Sequence, residues 1–122
     1  MVQHRTRLTV ADNSGAKIIQ VIQPLGGTGK RKAIVGQIVV GVVKGADPNG
    51  AVKNHEIVKT VIVRCKKEIR RDDGSYIKFD DNAGVIVDNE GNLKATRIFG
   101  PIAREVRDAG YTKIVSLAQE VW

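Results

Sequence analysis

Aromatic side chains make up only 4% of this 122-residue sequence, whereas Val and Ile are abundant. Large rings therefore cannot dominate the hydrophobic core, which must be built mainly from aliphatic side chains. β-Branched residues favour extended strands over helices. The composition therefore predicts a mainly β protein, and its length predicts a single domain over residues 1–122.

Cysteine is almost absent, and long apolar runs are missing altogether. The single cysteine, Cys65, excludes an internal disulfide. No segment approaches the roughly 20 consecutive apolar residues that a membrane-spanning helix requires, and the first residues lack the apolar centre of a signal peptide. We therefore expect a cytoplasmic protein that has no membrane partner.

The residues that catalysis or metal binding would need are also scarce. His4 and His55 are far apart and lack ligand spacing, and the acidic pairs at positions 72–73 and 80–81 are typical of turns. No histidine or cysteine lies near these acids in the sequence. We predict no enzyme activity, no metal, no cofactor and no small-molecule substrate.

A glycine-rich stretch after Pro24 invites comparison with phosphate-binding loops. Pro24 occupies the position of the first required glycine, and Arg31 stands where such a loop has a metal-binding hydroxyl. A hydrolase acting through Lys30 is therefore the weakest alternative. A flexible basic loop that contacts RNA backbone fits these residues better.

Positive charge is in excess. The chain has 20 Lys and Arg against 13 Asp and Glu, a formal net charge of +7, which attracts polyanions. Nucleic acid is favoured over lipid because the sequence has no basic amphipathic helix. The predicted nucleic-acid contacts are Lys17, Lys30, Arg31, Lys32, Lys44, Lys53, Arg64, Lys66, Lys67, Arg70, Arg71 and Lys78.

Alternating apolar segments separated by turn residues predict a small closed β-barrel of five or six strands. Asp73-Gly74 lies between two β-prone arms and predicts a hairpin. Helical spacing after Pro101 predicts a short helix that ends at Gly110, and we favour a last helical turn near Ile114. The main strands are predicted at 7–11, 17–23, 37–44, 56–67 and 84–87.

Tyr76 and Phe79 are the only aromatic residues near the basic segment that begins at Arg64. In proteins that bind single strands, such rings stack on bases. We expect both rings to pack in the core, because aromatic side chains are so few. A free-standing barrel that binds single-stranded nucleic acid nevertheless stays open as an alternative function.

Four further segments are distinctive: Asp12-Asn13-Ser14-Gly15-Ala16, Leu25-Gly26-Gly27, Asp73-Gly74-Ser75-Tyr76-Ile77-Lys78-Phe79 with Asn82, and Thr96-Arg97-Ile98-Phe99-Gly100-Pro101. In their order and spacing, and over nearly the whole chain, they resemble the L-fourteen family of large-subunit ribosomal proteins. The sequence departs from the family pattern at Glu68, Asp72 and Gln119. At these positions the local geometry of the hairpin and the tail can differ from that of the family.

The resemblance implies a five-stranded β-barrel with a protruding hairpin and short C-terminal helices in a tail over about 100–122. It also implies a structural constituent of the large ribosomal subunit that binds large-subunit rRNA and helps to form intersubunit bridges with small-subunit rRNA. The implied protein partners are large-subunit proteins three and nineteen and the ribosomal silencing factor. Thr96, Arg97 and Lys113 match family positions on the subunit-interface or silencing-factor surface.

Overall fold

The structure is a computed structural model that describes residues 2–3, 5–25, 32–50, 52–88, 92–118 and 120–122. Its helices are α1 (Glu105–Asp108) and α2 (Thr112–Leu117). Its strands are β1 (Val2–Gln3), β2 (Arg7–Val10), β3 (Ala16–Pro24), β4 (Lys32–Ala33), β5 (Ile38–Ala46), β6 (Ile57–Arg64), β7 (Ile69–Arg70), β8 (Tyr76–Ile77), β9 (Ala83–Val87), β10 (Pro101–Ile102) and β11 (Glu120–Val121).

Five strands close into a barrel in the order β2-β3-β5-β6-β9. Neighbouring strands are antiparallel except where β9 closes the barrel against β2, a parallel pair in which Thr9 lies opposite Ala83. Closure pairs both edges of the sheet, so the barrel strands present no free edge to another chain. The predicted five-stranded barrel is thus confirmed.

The interior of the barrel is aliphatic, as the scarcity of aromatic residues predicts. Strand register and burial place one set of side chains inside, and these are Leu8, Ile19, Val21, Val39, Val43, Val58, Ile62 and Ile86. Glycine lets the strands pack closely around them: a Cβ added at Gly84 would lie 2.4 Å from Cγ2 of Thr60. Aliphatic side chains, most of them β-branched, therefore make up this set of interior residues.

A second layer covers one side of the barrel. Val61 and Val85 lie opposite each other and point outward by register, yet both are fully buried, as is Val63 at the register shift of β6. The C-terminal segment packs on this side of the barrel: the amide of Ala103 donates to the carbonyl of Val63 at 3.1 Å, and Ile102 and Val106 are fully buried. The outer faces of β2 and β3 stay open, where Ile18 is exposed.

The predicted hairpin forms between β7 and β8, with Arg70 opposite Tyr76 and Ile69 opposite Ile77. The amide of Gly74 donates to the carbonyl of Arg71 at 3.0 Å, and Gly74 has a φ of 88°. This geometry is a turn followed by a left-handed glycine rather than a two-residue Asp-Gly turn.

The C-terminal region differs from prediction at its start. Pro101–Ile102 is a strand that pairs in parallel with Glu120–Val121, so the helix starts only at Glu105. The cause is non-local, because the partner strand lies at the other end of the tail. Gly110 follows the helix with a φ of 97°, as predicted, and α2 confirms the helical turn around Ile114. Neither helix in the described ranges has the length and apolar character needed to span a membrane.

Candidate nucleic-acid interface

The hairpin end of the barrel presents four of the predicted cations to solvent. Lys66 and Lys67 follow β6, Arg70 lies in β7, and Lys78 follows β8; all four side chains are exposed. The amide of Lys66 donates to the side-chain oxygen of Asn82 at 2.9 Å, which fixes the chain as it leaves the barrel. We call these four residues the hairpin cations.

Three further lysines are exposed at the opposite end of the barrel. Lys17 is the second residue of β3, and Lys44 lies near the end of β5, on adjacent antiparallel strands in which Ile18 is opposite Lys44. Lys53 belongs to the loop between β5 and β6, where Asn54 accepts a hydrogen bond from the amide of Gly45 at 3.0 Å. We call Lys17, Lys44 and Lys53 the far-end lysines.

Of the basic residues that close the glycine-rich loop, the structure describes Lys32. Lys32 lies in β4 opposite Gln3 and is exposed. Lys30 and Arg31 lie outside the described residues, so their predicted contacts with nucleic acid stay predictions.

Arg64 requires a correction, because its side chain turns into the protein. Only 11% of the side chain is exposed, and it forms an ion pair with Asp81 at 3.0 Å. The same guanidinium donates to the carbonyl oxygens of Phe99 and Pro101 at 3.1 and 3.2 Å. With its donors used by protein acceptors, Arg64 joins β6 to the C-terminal segment and is not placed to reach a phosphate.

Arg71 requires a similar correction. Its guanidinium pairs with Glu105 of α1 at 2.8 Å and also donates to the main-chain oxygen of Trp122. Only 14% of the Arg71 side chain is exposed. Although adjacent in sequence, Arg70 and Arg71 have different roles: Arg70 points to solvent, and Arg71 ties the hairpin to the tail.

The two aromatic residues near the basic segment also separate. Phe79 packs against the core and lies 6.2 Å from the ring of Trp122, centroid to centroid, so its predicted packing role is confirmed. Tyr76 is 59% exposed, which shows that its predicted place in the core is wrong. Side chains alternate along a strand, and in β8 Ile77 takes the inward position.

Thr96 and Arg97 are exposed in a segment that a distant turn holds in place. The side-chain oxygen of Asn13 accepts hydrogen bonds from the amides of Thr96 and Arg97 at 2.9 and 3.1 Å. The Asn13 amide group donates to the Thr96 hydroxyl at 2.9 Å. Beside it, buried Asp12 accepts from the amide of Ile86 at 2.9 Å. Asn13 and Asp12 thus fix the geometry of this surface.

Lys113 is exposed on α2, beside a shallow groove that Asn92 and Leu93 also line. Sequence reasoning did not single out Asn13 or Asp12 as positioning residues. Their types are typical of turns, and only the fold shows that Thr96 is within reach.

The sequence analysis also missed cations on the barrel wall. Arg7 is exposed and lies opposite Gln20, and Lys59 of β6 is half-buried opposite Val40 of β5. Lys59 is five or more positions from the next cation, and Arg7 has only Arg5 near it, so a search for longer charged clusters passes over both. Pairing of the strands brings them onto the wall between the two basic ends.

The described residues offer little that resembles a reactive centre. In these parts of the chain, no three His, Cys, Asp or Glu side chains come together in a way that could hold a metal ion. Cys65 is buried, and this burial raises the pKa of its thiol above the ordinary value. A higher pKa disfavours the thiolate, which is the nucleophilic form.

A closed β-barrel that exposes cations at both ends places the protein in the class of small, basic β-barrel proteins. Across residues 1–122 the chain matches the family described as ribosomal protein L14p/L23e, and it belongs to that family. Membership implies a structural role in the large ribosomal subunit, and proteins of this kind are typically non-enzymatic.

Proposed function

We propose that this protein binds large-subunit rRNA directly through two groups of exposed cations. The observation that carries the proposal is the position of the hairpin cations and the far-end lysines at opposite ends of one closed barrel. Lys32 adds to the hairpin end. Lys30 and Arg31 stay in the proposal on sequence grounds alone, whereas Arg64 and Arg71 leave it because their side chains are used inside the protein.

Phosphate recognition explains why these side chains suffice. Lys and Arg side chains that neutralise phosphates release counterions and gain affinity without reading base sequence. Because the barrel is closed, the distance between its ends is fixed before RNA binds. The protein then acts as a rigid spacer that holds two stretches of RNA backbone at a set separation.

The family resemblance supports a more detailed proposal for location and partners. We propose that the protein resides in the cytoplasm, helps to form intersubunit bridges with small-subunit rRNA and lies beside large-subunit proteins three and nineteen. The surface of Thr96, Arg97 and Lys113 is our candidate for the subunit interface and for docking of the ribosomal silencing factor. Its support in the structure is the exposure of all three residues and the rigid hold of Asn13 on the first two.

Co-sedimentation of the tagged protein with separated ribosomal subunits across a salt series tests the proposal. We expect association with the large subunit and a steep loss of binding to its deproteinised RNA as salt rises. Replacing Lys66 and Lys67 by Gln should lower the slope of log affinity against log salt by about two, or about one per lost phosphate contact. Replacing Lys17 and Lys44 should act similarly.

The matched control is Arg107→Gln, which removes an exposed cation of α1 that lies outside both groups. It should leave the slope near the wild-type value. Salt-independent binding, or equal association with both subunits, would contradict the proposal. Preference for generic single strands over ribosomal RNA would favour the free-standing binding module instead.

A further inference from the structure

The outer face of the hairpin carries an unusual pair of side chains. Arg70 and Tyr76 lie directly opposite each other on β7 and β8, and both are exposed. In an antiparallel pair, such neighbours have Cβ atoms about 5 Å apart and share one face. The hairpin therefore presents a ring and a guanidinium side by side toward solvent.

The inner face of the hairpin holds this pair in place. Ile77 is buried, and Ile69 opposite it packs against the core. Next to Arg70, the side chain of Arg71 anchors the hairpin to Glu105 at 2.8 Å. The short hairpin is thus fixed to the body of the protein, and little conformational entropy is lost when its outer face binds a ligand.

Core packing does not explain the exposed ring. The barrel interior is aliphatic, and the one close pair of rings in the described ranges is that of Phe79 and Trp122. Tyr76 is 59% exposed, more than Phe99 or Trp122. The ring of Tyr76 leaves apolar surface in contact with water and adds little buried area to the hydrophobic core.

We propose that Tyr76 stacks on one unpaired nucleobase of the bound RNA while Arg70 contacts a neighbouring phosphate. This inference rests on the proposed function and adds to it the structural class of RNA at the hairpin end, namely a loop, bulge or splayed nucleotide. A base inside a continuous duplex is already stacked on both faces and cannot accept a ring. The neighbouring Lys78, also exposed, adds positive charge beside the ring.

The deciding measurement is the affinity of the full chain for deproteinised large-subunit RNA across a salt series. Tyr76→Leu removes the ring and keeps an apolar side chain, and it should weaken binding by about fivefold to a hundredfold, the range expected from stacking one base. The salt slope should not change. Tyr76→Phe keeps the ring and should stay within about twofold of wild type.

Arg70→Gln should instead reduce the salt slope by about one, because it removes a phosphate contact. Phe99→Leu is the matched control, since Phe99 is another exposed ring outside the hairpin. On a short, fully paired RNA duplex, Tyr76→Leu and wild type should bind equally. Thermal melting of each variant checks the fold. If Tyr76→Leu proves to destabilise the hairpin, Tyr76→Trp decides the question instead: it keeps a ring at this position and should bind with wild-type affinity.

Each contrary outcome is distinct. If Tyr76→Leu binds within twofold of wild type while Arg70→Gln still lowers the slope, the stacking proposal is wrong and the rRNA function stands. If the variant binds bare RNA normally but is lost from assembled subunits, the ring contacts a protein, which also overturns the proposal. If wild type shows no salt-dependent binding to the RNA, the proposed function itself fails.

Discussion

The barrel and the hairpin–tail region are held together by different forces. In the barrel, aliphatic side chains fill a closed interior, and the free energy of folding comes from burying them. Around it, directional contacts hold the hairpin and the C-terminal tail. Arg64 of β6 pairs with Asp81 and donates to carbonyls at the start of the tail, and the Arg71–Glu105 ion pair joins the hairpin to the tail. The rings of Phe79 and Trp122 also lie close together, in a tilted arrangement.

The difference shows where rigidity and recognition reside. The aliphatic interior of a closed barrel has no side chains that could bind a polyanion. Recognition must therefore come from the ends of the barrel and from its outer wall. The attached elements hold recognition side chains by directional contacts, which depend on single residues more than hydrophobic packing does. Substitutions in the two regions should therefore differ in size and in their effect on RNA binding.

The largest effect on stability should come from the barrel interior. Ile62→Ala removes a fully buried side chain from β6 and should lower the free energy of unfolding by about 3 kcal/mol, because transfer and cavity costs add. Its control is Ile57→Ala in the same strand, where the side chain is 68% exposed and the loss should stay under about 0.5 kcal/mol. Urea unfolding measures both, and similar losses would contradict the assigned register.

A somewhat smaller loss is expected for Arg64→Ala, at about 2 kcal/mol. The change leaves Asp81 and two carbonyl groups without their charged donor. Asp81 is 38% exposed, so water replaces part of the lost interaction. Urea unfolding against the exposed-site control Arg104→Ala tests this. RNA affinity per folded molecule should not change, and a reduced salt slope would restore Arg64 to the RNA surface.

Adjacent arginines provide the sharpest comparison. Arg71→Ala should cost about 1 kcal/mol of stability, because the hairpin loses its tie to Glu105 and to the tail. Arg70→Ala should cost under about 0.5 kcal/mol and weaken RNA binding. Urea unfolding and RNA titration of both variants test these roles. If Arg70→Ala lowered stability and Arg71→Ala weakened RNA binding, the roles assigned to the two arginines would be wrong.

The smallest effect should be a pH dependence at the hairpin turn. Hydrogen bonds from the hydroxyl and amide of Ser75 hold the pKa of Asp73 below its ordinary value of about 3.9. A lowered pKa in the folded state stabilises the turn above that ordinary value, and the benefit is lost as pH falls through the folded value. Protection of the Ser75 amide, measured as its exchange rate relative to the intrinsic rate at each pH, should therefore fall only in acid, and Asp73→Asn should flatten that profile.

Much of the fold follows from local patterns in the sequence. Alternating Val and Ile predict the barrel strands, and Asp73-Gly74 predicts the hairpin, because these signals act between close neighbours. The start of the tail was not predictable in this way. Pro101 suits a first helical turn, yet its segment pairs with residues 120–121, a contact that no local rule reports.

The candidate site was less predictable than the fold. Charge identifies cations, but whether a cation faces RNA depends on partners far along the chain. Arg64 finds Asp81 at a separation of 17 residues, and Arg71 finds Glu105 at 34. Tyr76 and Ile77 differ in exposure only because of strand parity. Composition favoured burial for the ring, and the position of β8 on the body of the protein decided otherwise.

The hydrogen bonds between Asn13 and Thr96 also have a consequence for how the protein folds. The two residues are 83 positions apart, and β9 is paired with β2, the strand that precedes the turn of Asn13. Contacts of such long range form late, because the entropy of closing the intervening chain must be overcome first. The Thr96–Arg97 surface therefore reports that folding is complete. A partner that recognises its geometry will select finished molecules over chains still folding.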